Sequence, residues 1–392
     1  MAGRSFQAEH PFVAARFAKA LNFVVELGKQ LREAGEPING DMPLMDALSL
    51  SNFYTDLTPD EMHVARWLTW YEMVIKRGVD PYMASTAVST ASFGFLHPSD
   101  ASAHAPCLLR ATDADALARC LTRRVQAHLR VGVRVTRLSA QPGGVVVDTS
   151  SGRTLHAERV VVTVPASVLA AEKALFAPPL PLRKLQALQM LRPADILHGH
   201  VASPSALPSV LTDVVRAYSS NAAESVSVDK WVFRHSAWAD CGALHFSSSG
   251  KLAKPLEGLA VADVRGQIEL VLARMLGKPA AARLLGSAAW DTLALSSWSS
   301  SPFSRGATVM PLVGLSPSSI ARLRAPEWNG TLFFAGDAMD LAGFGTAAAS
   351  LSSARTATYR LLQAAADSEL LGGSAASDAL QSCGLTCTKC AQ

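Results

Sequence analysis

Apolar residues at helical spacing open the chain: Phe12, Ala15, Ala20, Phe23, Leu27 and Leu31 predict the buried stripe of a helix over 11–32, which Gly35, Glu36 and Pro37 end. Thr58-Pro59-Asp60-Glu61 announces a second helix. Thr58 can cap it, Pro59 suits its first position, and Glu61 completes a reciprocal cap. Trp67, Trp70, Tyr71 and Ile75 ride on that helix and are expected in the core. A third helix is expected from Thr112, with Asp115 at the reciprocal cap and Leu117, Leu121 and Val125 as its apolar face. The period then changes to two: Val133, Val135 and Arg137 alternate with Arg134, Thr136 and Leu138 as in a strand. Pro142-Gly143-Gly144 turns the chain into Val145-Val146-Val147, and Ser151-Gly152 turns it again. The run 159–165 predicts a strand covered on both faces, ended by Pro165, with Ser167 placed to cap a short helix.

From 178 to 317 the chain is more polar, with short strand candidates at 231–234, 243–246 and 293–298 and one clear helix at 262–276. This stretch reads as a structural unit distinct from its flanks. Beyond it, Leu332-Phe333-Phe334-Ala335-Gly336-Asp337 reads as a buried strand, a backbone turn and an acidic residue. Gly343-Phe344-Gly345-Thr346 follows and leads into a helix of small residues ending near Leu362. From Ala364 onward Ala, Ser and Gly dominate.

A length of 392 residues predicts two domains or one interleaved pair. With 49% hydrophobic and 17% charged residues, a substantial core can form. The net charge of +4 is small and its basic residues are scattered, which argues against a nucleic-acid-binding stripe. No run of apolar residues is long enough to span a membrane. The first residues, Met-Ala-Gly-Arg-Ser-Phe, lack the apolar region of a signal peptide, so the expected compartment is the cytoplasm. Cys107, Cys120 and Cys241 read as buried thiols of a reducing compartment. Cys383, Cys387 and Cys390 have a spacing used by radical-SAM iron–sulfur sites, but no protective shell surrounds them. They are read as incidental thiols of a flexible tail, and no metal site is expected.

The candidate chemistry gathers at Gly336. A glycine directly after a buried strand lets the backbone approach a ligand closely. Asp337 then offers a carboxylate to ribityl hydroxyls. The helix beginning at Thr346 aims backbone N–H groups outward, and Ala347, Ala348, Ala349 and Ser350 leave room around them. That order of parts suits a flavin dinucleotide. It equally describes a tight strand–helix packing turn with no ligand.

With these runs in view, the sequence resembles the flavin-containing amine oxidase superfamily, which includes polyamine oxidases, monoamine oxidases and lysine-specific histone demethylases. The family's Leu-Phe-Phe-Ala-Gly-Glu corresponds to residues 332–337, and its Gly-Thr-Val-x-Gly-Ala-Leu-Leu-Ser-Gly-x-Arg to residues 345–355. Residues 160–169 are similar to its Val-Ile-Val-Thr-Val-Pro-x-x-Val-Leu, which brings in Pro165. Val135-Thr136-Arg137-Leu138 is similar to the strand whose valine backbone meets the adenine. Trp298 with Pro302-Phe303-Ser304-Arg305-Gly306 resembles the segment near the flavin, and 57–70 resembles part of the substrate domain. The chain also departs from the family. No Gly-x-Gly-x-x-Gly follows any strand, and Gly3-Arg4 stands where the family has Gly-Gly-Arg. Leu109-Arg110-Ala111-Thr112 replaces a glycine-rich stretch, Asp337 replaces glutamate, and Ser301 replaces an aspartate. The register from Leu191 to Val201 puts His198 where the family's flavin-side lysine falls, and Lys184, the nearest lysine, stands earlier.

The resemblance implies a mixed α/β and α+β fold. An incomplete, Rossmann-like FAD-binding domain (1–39, 105–170 and 318–366) would interleave with a substrate domain of mixed sheet plus helices (40–104 and 171–317), followed by the tail 367–392. It implies FAD as cofactor, a polyamine-like primary or secondary amine as substrate, and molecular oxygen as reoxidant. His198, Trp298 and Phe344 are the expected catalytic group, the two aromatics as pocket walls or alternatively as core. Arg4, Val135, Pro165, Trp298, Gly336, Asp337, Gly345, Thr346 and Ala347 are the expected cofactor group. The alternatives are a non-catalytic truncated relative, or another flavin oxidoreductase of the same fold such as a desaturase or protoporphyrinogen oxidase.

Overall fold

A computed structural model describes residues 11–34, 40–75, 78–91, 118–123, 125–202, 215–216, 232–235, 243–250, 253–341 and 343–367. Helix α1 (Pro11–Glu33) buries Val13, Phe17, Ala20, Val24 and Gly28. This stripe lies to one side of the expected one, and Phe12 and Phe23 are exposed. Both stripes satisfy the helical period, and tertiary contact selects one: Phe17 packs on Phe53 with ring centroids 5.1 Å apart. Helix α2 (Leu44–Leu50) precedes α3 (Pro59–Thr69). The expected reciprocal cap forms, with Glu61 N donating to Thr58 Oγ1 at 3.3 Å and Thr58 N to Glu61 Oε2 at 2.9 Å. Helix α3 buries Val64, Ala65, Leu68 and Thr69. Trp67 and Trp70 are half-buried rather than core, and the helix widens into a π-helical turn over Trp70–Ile75. The four-residue α4 (Thr86–Ser89) packs on α1.

Residues 118–122 are helical; the expected helix start at Thr112 lies outside the described residues. Leu121 and Val125 are exposed, so the apolar face expected there does not meet a core. Strands β1 (Val135–Gln141), β2 (Gly144–Thr149) and β3 (Thr154–Ala157) form the expected antiparallel meander. Its turns hold Gly143 at φ +78° and Gly152 at φ +74°, a region glycine enters without steric cost. Strand β4 (Val160–Val162) follows, then α5 (Ala166–Ala171). Pro165 takes the cap position with no side-chain cap, and Ser167 is buried inside the helix instead of capping it. The strand is covered less than its composition predicts: Val161 is 39% exposed, and nearby in sequence Val131, Val133 and Val135 are exposed too. Strand β5 (Phe176–Ala177) joins β1 in parallel, and α6 (Leu182–Gln189) closes this segment.

Next come β6 (Leu191–Ala194), β7 (Ile196–Ala202), β8 (Val215–Arg216), β9 (Val232–His235) and β10 (Ala243–Ser249). They are followed by α7 (Ala253–Glu257), α8 (Val261–Leu276), α9 (Lys278–Leu284), β11 (Ala294–Leu295) and β12 (Thr308–Pro311). Five of these strands make a sheet in the order β11-β7-β10-β9-β8, and β12 pairs with β6. One face of that sheet, with Leu197, Val201, Leu244 and Phe246, shares a core with Val264, Ile268, Leu272 and Trp290. Gly199 lets Phe246 lie flat on β7, since a Cβ there would sit 2.2 Å from its ring. The last described elements are α10 (Pro317–Leu323), capped by Ser316, then β13 (Leu332–Phe334), parallel to β4, and α11 (Ala347–Asp367).

These elements divide into two interleaved units, one of residues 1–89 with 190–315 and one of 90–189 with 316–392. The division differs from the expected boundaries. Helix α1 groups with α2, α3 and α4, and 171–189 groups with the strands around β1. The second shift has two visible causes: β5 hydrogen-bonds to β1, and α6 is tied to α10 through Lys184. Cys120, expected to be buried, is exposed; Cys107, Cys241 and the three tail cysteines lie outside the described residues. Among the described residues no helix is long and apolar enough to cross a membrane, and no His, Cys, Asp and Glu cluster is arranged to hold a metal.

Lys184 is 1% exposed. Its Nζ donates to the carbonyls of Leu323 at 2.8 Å and Ala325 at 2.7 Å, lies over the Phe334 ring, and faces Glu327 Oε1 at 3.4 Å. Burial lowers the Lys184 pKa to about 8, with Glu327 only partly offsetting the shift. The unfolded chain therefore holds more protons than the folded one between about 8 and the ordinary 10.5, and stability rises with pH through that window. Lys184→Met should abolish this rise and, at neutral pH, cost about 3 kcal/mol in denaturant unfolding, because it leaves the buried Glu327 carboxylate with only the exposed Arg183, 3.6 Å away. Lys184→Met/Glu327→Leu should recover part of the loss; a double variant no more stable than the single one would refute the pairing.

Candidate functional site

The carboxyl ends of the parallel pair β4–β13 gather most of the expected cofactor group. All three residues of β13 are buried, and Ala335 N continues the ladder to Val162 O at 3.1 Å. Gly336 follows in extended backbone, where any residue is conformationally allowed. A Cβ built on Gly336 would meet nothing closer than Met339 Cγ at 3.9 Å. The packing therefore does not require glycine at this position, and the open space above the backbone fits a ligand lying directly on it. Crevices outside the carboxyl ends of parallel strands are where α/β sheets bind ligands.

Two ties hold this turn in place. Ser353 on α11 donates its hydroxyl to Gly336 O at 2.8 Å and accepts from Gly336 N at 3.0 Å. Gly345 N donates to Asp337 O at 3.0 Å, which draws the start of α11 back over the turn. Gly343 and Gly345 take φ +81° and +78°, left-handed conformations that favour glycine. Thr346 bonds Gly343 O through its hydroxyl and receives Ala349 N at 3.3 Å, so it caps the helix. Thr346, Ala347 and Ala348 are exposed, leaving the N-terminus of this 21-residue helix open. Asp337 is largely buried; desolvation raises its carboxyl pKa, and the backbone N–H groups of Ala338 and Asp337 oppose the shift. Residues that hold the turn in this way fit a flavin whose polyol accepts close backbone contact and a carboxylate, and whose ring edge faces N–H donors.

Pro165 is exposed at the end of β4, at the same end of the parallel pair as Gly336. Val135 starts β1 in the separate four-stranded sheet, 40% exposed. Phe344, between the two left-handed glycines of the turn, is 6% exposed. Arg4 lies outside the described residues. Ser353 and Lys184 escaped sequence reasoning. Ser353 looked like one more small helical residue, and the carbonyl partners of Lys184 lie 139 and 141 positions away.

His198 and Trp298 belong to the other unit. His198 is exposed on β7 opposite Ser247, and its backbone exchanges two hydrogen bonds with Ser296: His198 N to Ser296 Oγ and Ser296 N to His198 O, both at 2.8 Å. Trp298, two residues beyond Ser296, is 48% exposed. Its carbonyl accepts from Ser304 Oγ at 2.6 Å and Gly306 N at 2.9 Å.

A sequence profile described as "Flavin containing amine oxidoreductase" matches residues 90–362, and the chain belongs to that family. Polyamine oxidase 4 of Oryza sativa subsp. japonica is 29% identical over 213 residues, covering 54% of this chain and 40% of that protein. The match thus spans well under half of that relative's length. Cyclohexylamine oxidase from Brevibacterium oxydans IH-35A superimposes with a TM-score of 0.63 at 15% identity, covering 90% of this chain and 75% of that one. Wild-type putrescine oxidase bound to putrescine gives a TM-score of 0.63 at 16% identity, covering 87% and 74%. At these identities the structural likeness is one of fold.

Replacing Ser353 with Ala removes the side-chain partner of half-buried Gly336 N, while Gly336 O keeps Met339 N at 3.1 Å. The expected cost is about 0.5–1.5 kcal/mol in equilibrium unfolding, the range for a hydrogen bond lost at a partly solvated group. An unchanged unfolding midpoint would show that the tie is dispensable.

Proposed function

We propose that the chain works as an FAD-dependent oxidoreductase of primary or secondary amines, polyamine-like in type, with molecular oxygen as the final acceptor. The observation that carries this reading is the open strand–turn–helix site at Gly336, Asp337 and Gly343–Thr346, within the stretch that matches the family. In this reading the unit of 90–189 and 316–392 binds the cofactor and the unit of 1–89 and 190–315 the substrate. When bound, the flavin supplies the two-electron acceptor for oxidation of an amine to an imine.

The chain's own residues do the rest. Gly336 offers close backbone approach, and Asp337 accepts hydrogen bonds from polyol hydroxyls. The N–H groups at Ala347 and Ala348, just past the Thr346 cap, favour the negative charge that grows on a reduced ring. Val135 and Pro165 contribute backbone surface to the remainder of the dinucleotide. Trp298 presents an aromatic face to the amine. His198 holds a water by hydrogen bond. Phe344 supports the glycine turn from inside.

A second reading keeps the fold without catalysis. It is favoured by His198, an imidazole standing where the resemblance implies a lysine.

Incubating the full chain with FAD, removing free cofactor and recording the visible spectrum separates the two. Retained flavin that bleaches anaerobically with spermine or putrescine supports the first; a chain that stays colourless excludes it. His198→Ala should slow flavin reduction by about a hundredfold, the low end for a lost proton-handling group, while amine affinity changes far less. Equal reduction rates in both proteins would remove His198 from the site.

A further inference from the structure

The loop that carries Trp298 is built with unusual economy of motion. Ser301 N donates to Ser297 O at 3.0 Å, and Arg305 N to Ser301 O at 2.9 Å. Phe303 N donates to Ser301 Oγ at 3.2 Å, and the Trp298 carbonyl takes the two bonds described above. The far end is pinned by Gly306, at φ +140°, where a Cβ would sit 3.0 Å from Pro193 Cβ. Its backbone is tied, yet two large rings stay outside: Trp298 at 48% and Phe303 at 63% exposure.

One side chain from outside the loop holds its near end. Glu257, the last residue of α7, sends its half-buried carboxylate to the two residues after Trp298. Ser299 N donates to Oε1 at 3.3 Å and Oε2 at 3.1 Å, Ser300 N to Oε2 at 3.1 Å, and Ser300 Oγ to Oε2 at 3.4 Å. Successive backbone N–H groups converging on a carboxylate form an anion-holding nest, and bonds to an ionised acceptor are about twice as strong as neutral ones. Helix α7 is itself anchored, with Ala253 and Leu256 in the same core as Leu197 of β7. Glu257 thereby links the strand bearing His198 to the loop bearing Trp298.

We propose that Glu257 is a positioning residue: its carboxylate fixes the backbone of the 297–306 loop so that the Trp298 indole is presented to the amine in one orientation. The anchoring half stands on geometry alone; the amine half rests on the function proposed above. An ionised carboxylate has acceptors only, which suits three converging donors. An amide in its place would turn an NH2 group toward N–H groups and lose part of the nest.

The test uses the full chain with Glu257→Gln and Glu257→Ala, each first checked for a parental circular dichroism spectrum. Glu257→Gln preserves size and keeps the test available if the alanine variant fails to fold. Hydrogen exchange of the Ser299 and Ser300 amides should quicken about tenfold or more, the factor expected for loss of one charge-assisted bond from a local opening equilibrium. Acrylamide quenching of Trp298, read as the difference from a Trp298→Phe background, should rise with it. With spermine as the probe and FAD bound, KM should increase several-fold more than kcat falls.

Exchange rates equal to the parent's would overturn the anchor. A loosened loop with unchanged KM and kcat would overturn the positioning role. If the parent oxidises no amine at all, the functional reading fails while the exchange data still decide whether Glu257 holds the loop.

Discussion

The two hydrogen bonds between the Ser353 hydroxyl and Gly336 carry more of this structure than their size indicates. They take over where the ladder of β13 ends, tying the half-buried Gly336 backbone to α11 as the chain leaves the strand. They also fix where α11 lies against the turn. Once that distance is set, Gly345 can reach Asp337 and the helix must start at Thr346. The position of the Gly336 backbone beside the helix start thus rests on this hydroxyl together with the Gly345–Asp337 bond and the left-handed Gly343 and Gly345. A functional surface made mostly of backbone depends on such supports, because backbone has no rotamers with which to adjust.

Below the same strand, Lys184 works on a different principle. A cation in the interior is costly, and here two helix-end carbonyls, an aromatic face and a carboxylate share it. Even so, Glu327 Oε1 has only the charge contact and no hydrogen bond. The arrangement holds α6, the end of α10 and the entry to β13 in one register, at the expense of a proton that the folded chain holds less firmly than the unfolded one. It is a specificity device more than a source of stability.

Features that depend on neighbouring residues were legible in the sequence. The reciprocal cap at Thr58 and Glu61 and the glycine turns at 143 and 152 each need partners only a few positions away, and the strand–turn–helix at 332–347 was legible from its order of residue types although Val160–Val162 and Ser353 hold it in place. What failed needed distant partners. Two stripes on α1 satisfy the same period, and only the packing of Phe17 on Phe53 decides between them. Leu121 and Val125 have the spacing of a buried face but meet no core. Phe344 and Trp298 could not be sorted into interior and surface by spacing, because each follows a turn whose course is set elsewhere. Nothing in the sequence tied Ser299 and Ser300 to Glu257, which lies 42 residues from its nearest partner.

The exposed valines of the unit containing β1 and β4 bear on how the molecule behaves in bulk. Val131 is 89% exposed, and Val133, Val135 and Val161 lie between 39% and 41%. With a net charge of only +4 spread over 392 residues, Coulomb repulsion between copies is weak and is further screened at physiological salt. Short-range apolar attraction then dominates the pair potential. Added salt, which solubilises many proteins, here removes the small barrier that keeps copies apart. Single exposed side chains of this kind, spread over β1, β4 and the residues before β1, therefore weigh more in the solution behaviour of the chain than its net charge does.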